Sequence, residues 1–318
     1  MARGLATVFG GSGFIGRYVV RRLASDGWQV RVAVRRPDQA LFLKTTGNIG
    51  LITPIAANIR DQRSVETAVA GADLVVNLVG ILFQSGKQRF DSVQAEGAGR
   101  VAAAAAAAGV KALVHISAIG ADPQSNSAYA RSKAAGESAV RKAFPTAIIL
   151  RPSIVFGAED GFFNRFAEMA LKLPALPLIG GGTTRFQPVF VGDVAEAVVR
   201  AADRALADGS TAGKTYELGG PRIYSFRELM VLLLAEIGRR RMLIGWPFAF
   251  AALQGAILQA IPFIRPPLTL DQVRLLKRDN VVTASAGLKD LGITPTAVEQ
   301  ILPTYLDRYR QHGYYTRA

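Results

Sequence analysis

The chain has 318 residues, half of them hydrophobic, which is enough for a sizeable core and rules out global disorder; the length fits two domains or one enlarged α/β domain with an added lobe. It has no cysteine, which excludes disulfides, thiolate metal sites and a cysteine nucleophile, and its only histidines, His115 and His312, argue against a histidine metal site. Lysine and arginine number 38 against 24 acidic residues, a net charge of +14 that falls in pairs and triplets such as Arg35-Arg36 and Arg239-Arg240-Arg241. No nucleic-acid-binding motif accompanies that charge, so a membrane surface or a protein partner is favoured over nucleic acid.

The first strand is expected over residues 5–9, so close to Met1 that no signal or transit peptide is expected, which points to a cytoplasm-like compartment. A glycine turn follows, Gly10-Gly11-Ser12-Gly13-Phe14-Ile15-Gly16, and it opens an amphipathic helix. The three spaced glycines have separate uses. Gly10 allows the tight turn, Gly13 lets the backbone approach a pyrophosphate, and Gly16 lets the helix pack closely on the sheet. Unpaired N–H groups at the helix start would face the phosphates. Strand before and helix after give this motif the context that a dinucleotide reading requires.

Residues 29–34 form the expected second strand, ending at Arg35, Arg36 and Pro37. About twenty residues past the glycines an acidic side chain would hold the ribose 2′-OH of NAD; arginines here suit the 2′-phosphate of NADP. A third strand is expected over 51–55, followed by Asn58 and Ile59, and a fourth over 73–80, ending in Leu78, Val79 and Gly80. A helix over 90–108 ends in seven consecutive alanines, read as a close-packing face. Strands over 112–117 and 147–150 flank a helix over 127–144. This alternation predicts a doubly wound parallel α/β sheet of the Rossmann type, residues 1–155, completed by about 185–221, with a smaller lobe from 156–184 and 222–318.

Candidate chemistry sits at two places. Ser117 falls at the end of the fifth strand, where open α/β sheets bind ligands. Tyr129 and Lys133 lie four apart on one helix face, where the ammonium is expected to lower the phenol's pKa so that it can exchange a proton with a carbonyl or alcohol. Ser117 would hold the substrate oxygen. No metal site is expected.

With these residues in place the chain resembles the extended and atypical short-chain dehydrogenase/reductase superfamily. Gly10, Ser12, Gly13, Phe14, Ile15 and Gly16 resemble its cofactor loop. Asn58 and Ile59 resemble its adenine-contacting position, although the superfamily usually has Asp where Asn58 stands. Leu78, Val79 and Gly80 resemble its loop after the fourth strand, and Pro152, Ser153 and Ile154 its nicotinamide-side loop. Within the superfamily the chain is most similar to the NADPH-binding accessory subunit of respiratory complex I and its bacterial relatives, on residues 9–16, Arg35, residues 115–117, 129–137, 143–153 and 279–282. That resemblance implies a largely structural NADPH, complex I subunits as partners, and a peripheral position on the cytoplasmic side of the inner membrane. Because Ser117, Tyr129 and Lys133 are all retained, a soluble NADP-dependent reductase or epimerase remains the alternative.

Residues 242–264 contain 23 residues without a charge. Pro247 and Pro262 limit a regular helix there to about fifteen residues, short for a bilayer span, and arginines flank both ends. Two readings stand: a buried helix of the lobe, or an interfacial helix that, with its flanking arginines across 239–265, meets anionic lipid or a hydrophobic partner. The tail, 296–309, is expected to close the lobe as a helix.

Overall fold

Parallel strands and covering helices follow from the alternation of apolar runs with amphipathic ones, and the computed structural model shows them throughout the first part of the chain. It describes residues 3–47, 49–260, 268–284 and 286–310, with side chains omitted over 255–260. His312, Pro262, Ile264 and Arg265 lie outside the described residues. Strands and helices are numbered along the whole chain.

The first unit comprises Met1–Pro152, Val191–Leu218 and Ala284–Ile293. Its strands are β1 (Leu5–Phe9), β2 (Gln29–Val34), β3 (Ile52–Ala56), β4 (Leu74–Asn77), β5 (Ala112–Ile116), β6 (Ile148–Pro152) and β11 (Thr215–Leu218). They form one sheet in the order β11-β6-β5-β4-β1-β2-β3, with every pairing parallel. Covering helices are α1 (Phe14–Ser25), α2 (Gln62–Val69), α3 (Glu96–Ala107), α4 (Ala128–Ala143) and α6 (Val191–Ala207). β4 and β5 are wholly buried, as strands covered on both faces must be. The expected doubly wound sheet is therefore present. Sheet order reverses between β1 and β4, the point where such sheets bind ligands beyond their C-terminal ends.

The helix expected over 90–108 is not uniform. A π-helical turn, Asp91–Ala95, precedes α3 and carries the buried Gln94 inward. The alanine run packs as expected: Ala102, Ala104 and Ala105 are buried in one apolar cluster with Val75, Val101, Leu113 and Ile149. Residues 284–293 were expected in the smaller lobe, and here they belong to the first unit. Glu217 binds this segment: its N–H donates to the Ala286 carbonyl (3.0 Å) and its Oε2 accepts from the Ala284 N–H (3.0 Å). Arg200 and Arg204 donate to the carbonyls of Gly292 (2.8 Å) and Asp290 (2.6 Å).

The second unit comprises Ser153–Phe190, Gly219–Thr283 and Thr294–Ala318. Its short strands pair in twos: β7 (Val155–Phe156) with β10 (Val189–Phe190), β9 (Arg185–Phe186) with β12 (Tyr224–Ser225), and β8 (Ala175–Ile179) with β13 (Met242–Trp246). Helices α5 (Phe163–Lys172), α7 (Phe226–Glu236) and α10 (Val298–Leu306) enclose an aromatic-rich core that includes Phe156, Phe163, Phe186 and Phe226. The uncharged run does not form one helix. Residues 242–246 are the strand β13, and helix α8 (Phe248–Ala260) starts after Pro247. Tertiary pairing with β8 decides this, since an apolar run of that length fits either period. No helix among the described residues is long and apolar enough to cross a membrane.

Candidate functional site

The glycine turn is built by close backbone contacts. Gly10 holds φ +78°, a left-handed conformation that favours glycine, and its N–H bonds the Ala33 carbonyl (3.1 Å) while its carbonyl accepts from the Gly13 N–H (3.0 Å). At Gly16 a Cβ would stand 2.3 Å from the Gly10 oxygen and 2.6 Å from the Gly11 Cα, so only glycine lets α1 lie this near the turn. α1 then buries Val19, Val20, Leu23 and Ala24 against the sheet. Its N-terminus has no side-chain cap and no acidic residue in its first turn, and Gly13 is exposed beside it. Such an end presents free N–H groups and a partial positive charge, which fits an anionic phosphate group.

The loop after β4 lies next to this turn. The Leu78 N–H donates to the Phe9 carbonyl (3.0 Å), and Val79 would be 3.3 Å from a Cβ on Gly10. Asn77 fixes the loop from below by accepting the Val79 N–H on Oδ1 (3.2 Å). Its amide nitrogen faces His115 Nδ1 at 3.2 Å, which makes Nδ1 the acceptor and leaves the proton on Nε2. Burial, reinforced by the Lys133 charge, pushes His115 down to about 3, so it is neutral at ordinary pH. Nε2 is buried with no hydrogen-bond partner among the described residues.

Ser117 follows β5 directly; its Oγ is likewise buried without a partner among the described residues. Lys133 projects from α4, is buried, and donates from Nζ to the Ile116 carbonyl (3.2 Å). Its ammonium is 5.9 Å from the Tyr129 ring centre. Lys133 thus reaches the end of β5, where Ser117 follows, and Tyr129 stands beside Lys133 in the same unit. The expected electrostatic effect does not follow. Burial pushes the Tyr129 phenol up to about 12, and the lysine does not offset it. Burial also lowers Lys133 to about 8, opposed by the Glu137 carboxylate one turn along α4. Spacing places the two side chains on one helix face, but their desolvation dominates their charge interaction.

Five supporting residues have no local sequence signature. Gln94, from the π-helical turn, donates to Ser132 Oγ (2.8 Å), and Ser132 donates to the Tyr129 carbonyl (2.7 Å). Phe90 meets the Tyr129 ring edge to face at 5.9 Å. Glu137 is buried and bonded by both forks of Arg151, at 2.8 and 2.6 Å, which ties α4 to β6. Apart from the bond of Ser132 to Tyr129, each pairing joins residues far apart in sequence, so no local pattern reports it.

Arg35 and Arg36 are exposed at the end of β2, and neither side chain forms a hydrogen bond or ion pair among the described residues. Asn58 accepts the Arg60 N–H on Oδ1 (3.2 Å). Ile59 is buried, and its carbonyl accepts from Arg100 (2.7 Å). Pro152 ends β6 in the first unit, whereas Ser153 and Ile154 belong to the second. There Asn280 Oδ1 accepts from Ser153 Oγ (2.6 Å) and from the Ile154 N–H (2.9 Å).

A doubly wound sheet with a glycine turn at its switch point and a serine–tyrosine–lysine group beside it defines a dinucleotide-binding protein of the short-chain dehydrogenase/reductase type. The chain belongs to the NAD dependent epimerase/dehydratase family, whose model matches residues 6–219. It is 37% identical to NADH dehydrogenase (ubiquinone) 1 alpha subcomplex subunit 9, mitochondrial, of Arabidopsis thaliana, over 97% of this chain and 79% of the relative. It is 34% identical to the NADH-ubiquinone oxidoreductase 40 kDa subunit of Neurospora crassa, over 98% of this chain and 80% of the relative. In three dimensions it superposes on DesIV, the dTDP-glucose 4,6-dehydratase of Streptomyces venezuelae, with a TM-score of 0.72 at 22% identity, covering 98% of both chains.

Proposed function

We propose that this chain is an NADP(H)-binding accessory subunit of a membrane-associated respiratory NADH:ubiquinone oxidoreductase, peripheral on the cytoplasmic face of the inner membrane, with its cofactor mainly structural. The observation that carries the reading is near full-length similarity to complex I subunits from a plant and a fungus, 37% and 34% identical. The turn around Gly10, Ser12, Gly13, Phe14, Ile15 and Gly16 would hold the pyrophosphate. Leu78, Val79 and Gly80 would flank it, and Asn58 and Ile59 would meet the adenine. Arg35 and Arg36, whose side chains have no partner among the described residues, would take the 2′-phosphate, which is the reason to favour NADP over NAD. Lys133, Tyr129, Pro152, Ser153 and Ile154 would serve the nicotinamide side. When bound, the cofactor supplies a hydride donor or acceptor. The chain's own part is to bind and orient it.

Mild-detergent purification from membranes tests this. Co-migration with respiratory-complex subunits and NADPH retained near one per chain are expected; a soluble protein that readily releases its nucleotide would refute it. Replacing Arg35 and Arg36 by Ala should weaken NADPH about tenfold or more while leaving NADH nearly unchanged. The second reading, a reductase or epimerase, is favoured by the retained Ser117, Tyr129 and Lys133. It requires turnover that Tyr129→Phe abolishes.

A further inference from the structure

Strand β13 breaks the usual rule for a sheet at a protein surface. One face of it should be apolar and the other polar. Leu243 packs against the second unit's core, yet the alternate positions Met242 and Ile244 are 64% and 45% exposed, and half-buried Trp246 continues their row. Helix α8 repeats the pattern one turn later. Phe248, Ala251 and Ala252 pack inward around Ile179 and Val273, while Phe250 and Leu253 are 56% and 60% exposed. Trp246 and Phe250 meet edge to face at 5.2 Å, so strand and helix share one outward apolar surface. Leu173, exposed just before β8, extends it, because the Met242 N–H donates to the Pro174 carbonyl (3.3 Å).

Along the chain through this surface the charge has a single sign. No acidic residue occurs between Glu236 and Asp271, whereas Arg239, Arg240 and Arg241 immediately precede β13. Arg241 is anchored on the Ala170 carbonyl (2.8 Å), and Arg240 is exposed with no side-chain partner among the described residues. Lys172 stands exposed between Leu171 and Leu173. An aromatic-bearing apolar face, exposed cations flanking it in an acid-free stretch of sequence and no spanning helix among the described residues are the features of a segment lying in a bilayer interface. A surface evolved for another protein would be expected to carry acceptors as well as cations on its rim.

We propose that the outward face of β13 and the first turns of α8 form a membrane-docking surface that inserts Ile244, Trp246, Phe250 and Leu253 among the headgroups of anionic lipids, with Arg239, Arg240 and Lys172 on the phosphates. This deepens the peripheral-subunit reading by naming the lipid contact. It can be tested without the respiratory complex, so the two fail separately. Vesicle binding without co-migration would refute the subunit and leave the surface standing.

The full chain is mixed with vesicles of phosphatidylglycerol and phosphatidylcholine, or of phosphatidylcholine alone, and followed by co-sedimentation and tryptophan emission. The chain has two tryptophans, and Trp28 is buried in the first unit, so a blue shift reports Trp246; Trp246→Phe should remove it. Expected are binding to the anionic vesicles only, weakened by salt, an approximately five-fold loss in Arg240→Glu and about tenfold or more in Ile244→Asp. Circular dichroism and urea unfolding check that the variants are folded. The salt series on the unmodified chain needs no variant. Absence of binding at low salt, equal binding to both vesicles, or a Trp246 shift produced by the respiratory complex and not by lipid would overturn the assignment.

Discussion

Lys133→Met should make the cofactor-free protein more stable while destroying its grip on the cofactor. The ammonium is buried, and burial lowers its pKa from 10.5 to about 8. At about 1.4 kcal/mol per pH unit, that depression corresponds to roughly 3 kcal/mol of destabilisation carried by the charged form. The folded-state pKa lies below the unfolded one, so the unfolded chain binds more protons between about 8 and 10.5. Stability therefore rises with pH through that window, and the whole cost is present below about 8. Methionine fills a similar volume with no charge to desolvate, but it forfeits the hydrogen bond to the Ile116 carbonyl, about 1 kcal/mol. The net expectation is a gain of about 2 kcal/mol at pH 7, shrinking as pH approaches 9.5. Urea unfolding of both proteins from pH 7 to pH 9.5, with and without NADPH, measures it; the range stops short of ordinary tyrosine titration. Saturating NADPH should add about 3 kcal/mol to the parent and almost nothing to the variant. A variant less stable at pH 7, or a difference that ignores pH, would refute the claim that this lysine is held at a cost.

Arg151→Met leaves the Glu137 and Glu217 carboxylates without their shared cation and should cost about 3 kcal/mol in urea unfolding; adding Glu137→Gln and Glu217→Gln should recover most of it. In the second unit, Tyr305→Phe removes the hydroxyl that donates to buried Asp160 at 2.5 Å. Burial raises the Asp160 pKa and this bond opposes the rise, so the folded state binds more protons than the unfolded one above pH 3.8, and losing the bond widens that difference. The deficit should be about 2 kcal/mol at pH 7 and shrink as pH falls toward 4, read by urea unfolding across that range.

What the sequence made legible is what local patterns encode. The glycine turn, six of the seven strands of the sheet and the shared face of Tyr129 and Lys133 are visible because period, spacing and turn chemistry act within a few residues. The return of residues 284–293 to the first unit is not, since Glu217, Arg200 and Arg204 draw it in across long separations. Asn77 and His115 meet only because β4 and β5 pair in one register. In the uncharged run the prolines at 247 and 262 bound the helix that appears as α8, but the strand before it is not legible, because apolar residues in series fit either period and only pairing with β8 separates strand from helix. The tyrosine's pKa went astray for a related reason. Helical spacing gives a face, whereas burial, which sets the sign, belongs to the folded whole.

The site's unmet groups bear on whether its cofactor is chemical or structural. Around the end of β5 lie a buried ammonium, a buried serine hydroxyl and a buried imidazole N–H, the last two without partners among the described residues. Nearby, α1 starts uncapped. The two unmet groups are costs in the cofactor-free chain, about 1–3 kcal/mol for an unmet buried polar group, and a dinucleotide bound at this end of the sheet would offer them and the free N–H groups of α1 polar partners. A chain arranged this way gains stability from its ligand whether or not hydride ever moves. The tyrosine points the same way: with its phenol held near 12, little phenolate exists at neutral pH in the cofactor-free state, so proton exchange would need the cofactor or a substrate to lower it first. Retention of Ser117, Tyr129 and Lys133 therefore carries less weight as support for turnover than as support for a bound cofactor.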